Sequence, residues 1–224
     1  MPENLQRVRV RIVAAAARYG RNVDSVTLVA VGKGHPPEAL RAAAHAGLQH
    51  FGESYLKEAL AKIEALGDLE ITWHFIGQIQ ANKTRPIAEH FAWVHGVDRL
   101  RIAQRLSGQR PYHAPALNVC LQVKVGAEDT KAGVDVAELP ALAREVVALP
   151  RLQLRGLMCL PPPESDPERQ RHWLAIVRRA FESLNAAGIH LDTLSMGMSD
   201  DLEAAVAEGA TMLRIGTALF GPRP

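Results

Sequence analysis

The sequence predicts an α/β fold, a single-domain (β/α)8 TIM barrel over residues 1–224 with an additional N-terminal helix. Three observations predict it. Eight short apolar runs, rich in β-branched residues, trade places with Ala/Leu/Glu/Arg-rich helical patterns. The runs are continuously apolar, so both faces are buried, as in a parallel sheet covered by helices. No linker divides the chain: nothing is Ser/Gly-rich over a long stretch, and the Pro161–Pro163 cluster is a single turn. Eight strand–helix units in 224 residues suit a compact barrel near the lower size limit of that fold. An open doubly wound sheet is the alternative, but eight strands without a dinucleotide fingerprint count against it.

The elements follow in order. An amphipathic pattern over 4–19 opens the chain as a helix. Strands are expected at VTLVAV (26–31), LQHFGE (48–53), ITWHFIG (71–77) and FAWVHGV (91–97). Four more follow at LNVCLQVKV (117–125), LQLRGLMCL (152–160), TLSMG (193–197) and MLRIGTALF (212–220). Helical patterns separate them, for example at 37–46, 55–65, 135–149, 167–187 and 201–208.

Composition excludes several classes. A formal net charge of +2, from 26 Lys+Arg against 24 Asp+Glu, is too small to imply a nucleic-acid or anionic-membrane partner. No apolar run approaches the roughly 18 residues of a membrane helix. The N-terminal apolar patch, 12–17, is bracketed by Arg11 and Arg18 and preceded by Glu3, a poor signal peptide. Cys120 and Cys159 are far apart in apolar runs and read as reduced core residues of a cytoplasmic protein. The nine histidines form no H-E-x-x-H and no zinc-spaced cluster with cysteine, so no metal is expected. No obvious apolar stripe is left exposed, which suits a monomer.

Barrel active sites lie at the C-terminal ends of the strands. The first strand ends VAVGKGHPP, with Lys33 just beyond the exit. A P-loop is rejected, because Thr27 stands where its first Gly should be and Gly34 where its Ser/Thr should be. Two readings stay open: a solvated loop lysine, or a partly desolvated amine of lowered pKa that attacks an aldehyde. Ser195, Met196 and Gly197 leave strand seven, and Ser199 suits an N-cap before Asp200 and Asp201. Gly216 and Thr217 follow Arg214 in strand eight. The loops after strands seven and eight frequently bind phosphate in barrels, through backbone N–H groups and small hydroxyls. Otherwise they are a plain turn and cap. Arg214, inside an apolar strand, should point at an acceptor or a carboxylate. Lysine, phosphate nest and inward arginine together describe a site for a phosphorylated aldehyde.

These segments resemble a family. LVAVGKGHP, HFGESYLKEALAKIEAL, ITWHFIGQIQANK, GLMCLPP and LSMGMSDDLEAAVAEGATMLRIGTALFG are similar to the pyridoxal phosphate homeostasis proteins, small relatives of the alanine racemase barrel. The resemblance spans about residues 26–221. It implies that Lys33 holds pyridoxal 5′-phosphate as a lysine aldimine, that Arg214 faces the pyridine nitrogen, and that Ser195, Gly216 and Thr217 hold the phosphate. With Met196, Gly197, Ser199 and His74 these make up the candidate cofactor-binding set; no catalytic residue is assigned. Gly32 stands where the family usually has Ser, and should be tolerated; Ser54 stands where it usually has Asn, a shorter side chain for any polar contact.

Other residues carry weaker signals. His74 either lines the cofactor face or is a core histidine with satisfied nitrogens. Lys83 and Tyr55 read as a solvated lysine and a helix-packing residue. Lys131, on the loop after strand five, reads as a rim lysine that is solvated, attracts phosphorylated ligands or makes a second aldimine. Arg169, Arg171, Arg178 and Arg179 read as a solvated helix face. Three functions remain: a protein that binds and maintains pyridoxal phosphate, with apo-enzymes as partners; a weak amino-acid racemase using the same cofactor; and a lysine aldolase, against which the resemblance argues. Racemisation needs a second base opposite the lysine. In the related racemases an additional domain brings a tyrosine, and here the sequence ends just after strand eight.

Overall fold

The computed structural model of the chain describes residues 1–126 and 132–223. Eight parallel strands close into a barrel in chain order. They are β1 (Thr27–Val31), β2 (His50–Glu53), β3 (Thr72–Phe75), β4 (Trp93–Val97), β5 (Leu117–Val123), β6 (Leu152–Cys159), β7 (Thr193–Ser195) and β8 (Met212–Ile215). After α1 (Pro2–Arg18), the helices are α2 (Pro37–His45), α3 (Leu56–Ala65), α4 (Thr84–His90), α5 (Leu100–Gln109), α6 (Leu139–Val147), α7 (Pro167–Ala186), α8 (Leu202–Ala207) and α9 (Thr217–Phe220).

The additional helix buries Leu5, Val8, Ile12, Ala15 and Ala16, the spacing of a single helical face. Arg11 on α1 holds Glu203 on α8, Nε to Oε1 at 2.7 Å. The Asn4 amide donates to the Leu219 carbonyl on α9 at 2.8 Å. These contacts fasten α1 beside the seam where β1 pairs with β8.

Element ends shift by a few residues, and two expectations change in kind. The eighth strand ends at Ile215, and its expected continuation, Thr217–Phe220, is helix α9. MLRIGTALF is mainly apolar on both sides of Gly216, so hydropathy does not separate the strand from the helix that follows. The expected solvated face of α7 also holds only in part. Arg171 and Arg178 both bind the buried Glu208 of α8, at 2.9 and 3.0 Å. A buried carboxylate needs such cations, and linear spacing does not show where it lies.

The main core lies between sheet and helices, with Leu40, Phe51, Ile87, Leu106, Leu117 and Leu157 fully buried. A smaller apolar cluster, Val29, Trp93, Cys120, Met158 and Met212, is separate from it and belongs to the strands alone. Cys120 and Cys159 are free and buried. Burial pushes both thiols up to about 12, which makes them inert. No helix among the described residues is long and apolar enough to cross a membrane.

Barrel closure depends on Gly156, which pairs with Cys120 on one side and Thr193 on the other. A Cβ there would stand 1.7 Å from the Thr193 carbonyl oxygen. Backbone cannot retreat as a flexible side chain can. Gly156→Ala is therefore expected to cost about 3 kcal/mol or more, read as a lowered urea midpoint. A loss below about 1 kcal/mol would mean the β6–β7 seam opens freely.

Candidate functional site

The strand exits converge on a cleft of about 310 Å³ at the C-terminal mouth of the barrel, within the ordinary range of ligand pockets. Lys33, Ser199, Arg214, Gly216 and Thr217 all line it. Ser54, Gly77, Gln78, Asp200 and Arg223 add to the polar part of the wall.

Lys33 follows β1 in a turn and is half-buried. Burial lowers its amine below the ordinary lysine range, the nearby Arg223 and Arg214 push the same way, and Glu53 opposes them. A deprotonated amine is the nucleophilic form, so the surroundings favour attack on a carbonyl. Among the described residues Lys33 makes no salt bridge.

The turn that carries Lys33 is clamped from below by α3. Lys62 donates to the Gly32 carbonyl at 2.7 Å, to Glu53 Oε1 at 2.7 Å, and to Glu58. Glu58 in turn accepts the Gly34 N–H at 2.6 Å. Glu53 is fully buried, and burial pushes its carboxyl up to about 7 against the pull of Lys62.

Arg214 is 3% exposed and points at neutral acceptors; among the described residues it has no paired carboxylate, the alternative reading. Its Nη1 donates to the Ser195 carbonyl and, at 2.8 Å, to Ser195 Oγ. Its Nη2 donates to the Cys159 carbonyl at 2.7 Å. A guanidinium has five N–H donors, so two remain beyond these contacts, on a residue that lines the cleft. A buried cation with neutral partners and spare donors is suited to an acceptor ligand.

The β7 exit divides. Ser195, Met196 and Gly197 do not line the cleft; they are buried behind it, with Ser195 beneath Arg214 and the Gly197 carbonyl accepting the Arg214 N–H at 2.9 Å. Ser199 lines it, but not as a helix cap. Asp201 is the residue before α8, and it accepts the Met198 N–H at 2.6 Å. The Ser199 hydroxyl instead accepts the Ala218 N–H of α9 at 3.2 Å, which draws the loop after β7 to the loop after β8.

His74 does not reach the cleft. It is fully buried in the barrel interior, stacked on Trp93 at 5.6 Å. Its Nε2 lies 3.0 Å from His50 Nδ1 and its Nδ1 lies 2.9 Å from His95 Nε2, so both ring nitrogens are committed. Burial, reinforced by its histidine neighbours, holds its pKa far below the ordinary histidine range. Lys83 and Tyr55 are exposed and line no part of the cleft. Lys131 lies outside the described residues.

The alanine racemase N-terminal domain family matches residues 4–224. A curated pyridoxal phosphate homeostasis protein of Pseudomonas aeruginosa is 58% identical over 221 residues, 99% of this chain and 95% of that one. This chain belongs to the pyridoxal phosphate homeostasis protein family. An Escherichia coli member is 51% identical over 223 residues, 98% of this chain and 95% of its own. Among solved structures, PipY of Synechococcus elongatus PCC7942 with PLP bound is similar at a TM-score of 0.83 and 40% identity, covering 94% of this chain and all of that one. Alanine racemase of Corynebacterium glutamicum, at 17% identity and a TM-score of 0.73, shares the fold.

The family's usual serine before the lysine is Gly32 here, and the structure gives a reason why glycine fits. A Cβ at residue 32 would stand 2.7 Å from Glu53 Oε1 and 2.9 Å from the Leu40 methyls. Glycine lets the Glu53–Lys62 pair close under the turn. Ser54, the other departure from the family pattern, lines the cleft.

Arg223, Lys62, His50 and His95 escaped the sequence reading. Arg223 sits in the final FGPRP, just past the last recognised motif, and its position after the eighth strand was the available signal. His95 lies two residues after Trp93 in WVH, but histidine inside an apolar strand reads as core.

Proposed function

We propose that this chain binds pyridoxal 5′-phosphate in the cleft, retains it on Lys33 and keeps it available to other proteins without efficient turnover of amino acids. The observation that carries the reading is Arg214: a buried cation without a carboxylate, presenting spare donors beside a lysine of lowered pKa. Such a residue fits a ring nitrogen that accepts a hydrogen bond. Lys33 supplies the amine that retains the aldehyde. Ser199, Thr217 and the backbone at Gly216 supply neutral donors for the phosphate, and Arg223 supplies charge. When bound, the cofactor supplies an aldehyde and an electron-withdrawing ring.

The same residues argue against efficient catalysis. Arg214 keeps the ring nitrogen unprotonated, which weakens the ring as an electron sink. Racemisation needs a second base opposite the lysine. Among the described residues of the wall, Lys33, Asp200, Arg214 and Arg223 are the charged ones, and no histidine or tyrosine joins them. An open mouth suits transfer of the cofactor to apo-enzymes. The reduced, buried cysteines suit the cytoplasm.

The test is to incubate cofactor-loaded protein with L-alanine and other L-amino acids and to measure D-isomer, keto acid and amine. Turnover below about 1 s⁻¹ is expected; a kcat of about 1–10³ s⁻¹ on any of them would make it an enzyme, with racemase the leading alternative. The phosphate contact has its own test. Thr217 is exposed, so Thr217→Val should leave the fold intact. The lost charge-assisted bond should weaken pyridoxal phosphate binding about ten- to a hundredfold and leave pyridoxal nearly unchanged. Equal loss for both ligands would remove Thr217 from the phosphate site.

A further inference from the structure

A line of polar groups crosses the barrel interior from the cleft to the opposite end. Arg214 Nη1 lies 2.8 Å from Ser195 Oγ, which lies 2.7 Å from His95 Nδ1. His95 Nε2 lies 2.9 Å from His74 Nδ1, and His74 Nε2 lies 3.0 Å from His50 Nδ1. The Arg214, Ser195, His95 and His74 side chains are all buried. His50, the first residue of β2, is half-buried and lines a second cleft with Arg9, Asp24 and Gln49 at the N-terminal end of the barrel.

We propose that Ser195, His95, His74 and His50 form a one-way hydrogen-bonded relay that positions Arg214 and leaves its charge intact for the cofactor cleft. The proposal rests on the reading of that cleft as the pyridoxal phosphate site.

Counting protons fixes the direction. The guanidinium only donates, so Ser195 Oγ accepts from it. The single hydroxyl proton of Ser195 then goes to its other partner, His95 Nδ1. A ring that accepts at Nδ1 is neutral and carries its proton on Nε2, which donates to His74 Nδ1. The same step gives His74 its proton on Nε2, donating to His50 Nδ1. His50 is left with its own Nε2–H. The reverse order leaves the Ser195 hydroxyl proton without an acceptor. In the forward order a doubly protonated His74 would set its Nδ1–H against the His95 Nε2–H, and a doubly protonated His95 would set its Nδ1–H against the Ser195 hydroxyl proton. Burial acts in the same sense, lowering all three histidines and taking His95 to about 3.

The electrostatic result is specific. Every group in the relay, Ser195 and each ring, turns its acceptor atom towards Arg214, so the buried cation meets a row of aligned dipoles. A carboxylate would stabilise the guanidinium as well, but would cancel the charge that the cleft uses. Neutral acceptors stabilise it and leave the charge. Because Nη1 and Nη2 are held by Ser195 and Cys159, the side chain is fixed in one orientation. His95 and His74 touch no part of the cleft wall; they are positioning residues that act through Ser195.

The experiment has two arms. In cofactor-free protein labelled with ¹⁵N-histidine, long-range proton–nitrogen spectra at neutral pH should show His95, His74 and His50 as neutral Nε2–H tautomers. An Nδ1–H tautomer or a charged ring at His95 or His74 overturns the relay. In the second arm His95→Leu removes the acceptor, and His95→Asn keeps one near the Nδ1 position. His95→Leu should weaken pyridoxal phosphate about tenfold, with His95→Asn staying within about threefold of the parent. With the 1-deaza analogue, which lacks the ring nitrogen, the loss in His95→Leu should vanish. Equal loss for both ligands means His95 is only structural and overturns the proposal. Should either variant fail to fold, the tautomers still decide it. If the parent protein binds no pyridoxal phosphate, the functional reading falls, and the first arm still tests the relay by itself.

Discussion

Lys33→Ala is expected to abolish covalent retention of pyridoxal phosphate while leaving the fold intact. Lys33 is half-buried in a turn and makes no salt bridge among the described residues, so its removal breaks no structural pair. The nearest charges that lower its pKa, Arg223 and Arg214, are repulsive, and truncation relieves them. The turn remains held by Lys62 at the Gly32 carbonyl and by Glu58 at the Gly34 N–H. The thermal midpoint should therefore stay within a few degrees. The loss of binding should be large, at least about a hundredfold, because the remaining contacts of Arg214, Ser199 and Thr217 are individually worth about 1–3 kcal/mol. The measurement is equilibrium dialysis with borohydride trapping and mass-spectrometric mapping of the modified lysine. Parent protein should carry the reduced pyridoxyl group on Lys33 alone. A group found on Lys62, Lys83 or Lys131 instead would reject the assignment. The lowered amine pKa adds a pH signature. Capture should level off at a pH below the ordinary lysine value of about 10.4, and Arg223→Gln should move that plateau upward.

Position marked Lys33 and Arg214 as candidates but left the solvated reading of Lys33 open; their expected roles came from the family resemblance. An arginine within an apolar strand needs an acceptor, and a lysine two residues past a strand end stands where barrel sites lie. The barrel was legible because each strand is apolar on both faces, a pattern that survives errors of two or three residues at its ends. The failures are of one kind. The end of β8 is invisible in MLRIGTALF because strand and helix α9 are equally apolar there. The cap at α8 moved from Ser199 to Asp201 because local spacing cannot tell which of three successive polar residues precedes the helix. The Glu53–Lys62 pair joins β2 to α3, and only the folded chain brings that carboxylate beneath the Gly32 turn. His74 had two open readings, core or cofactor face, and its distances to His50 and His95 favour the core. That choice needed the register in which Gly52 pairs His74 and His74 pairs Trp93, since register decides which strand residues share the interior.

Those interior histidines should make stability begin to fall near pH 6.5, before the carboxylates titrate. His74 and His95 are fully buried, and burial holds both far below the unfolded value of about 6.5, His95 at about 3. A base whose folded pKa is depressed binds its proton in the unfolded chain first. Stability is therefore complete above about pH 6.5 and is lost as pH falls towards the folded values. Two such groups contribute up to about 2.7 kcal/mol per pH unit. Glu53 works against them. Its carboxyl is raised to about 7, so the folded state holds that proton between its ordinary value of 4.5 and about 7 and offsets about half the slope there. Below pH 4.5 the offset ends, and Glu203, lowered chiefly by its bond to Arg11, adds to the loss. The urea midpoint should thus fall gently from pH 6.5 to about 4.5 and steeply below it. Ring-proton spectra of the folded protein provide the control, with the His74 and His95 signals unchanged between pH 8 and 5. A midpoint near pH 6 for either ring, or a flat stability profile down to pH 4, would show that these histidines charge without unfolding the barrel.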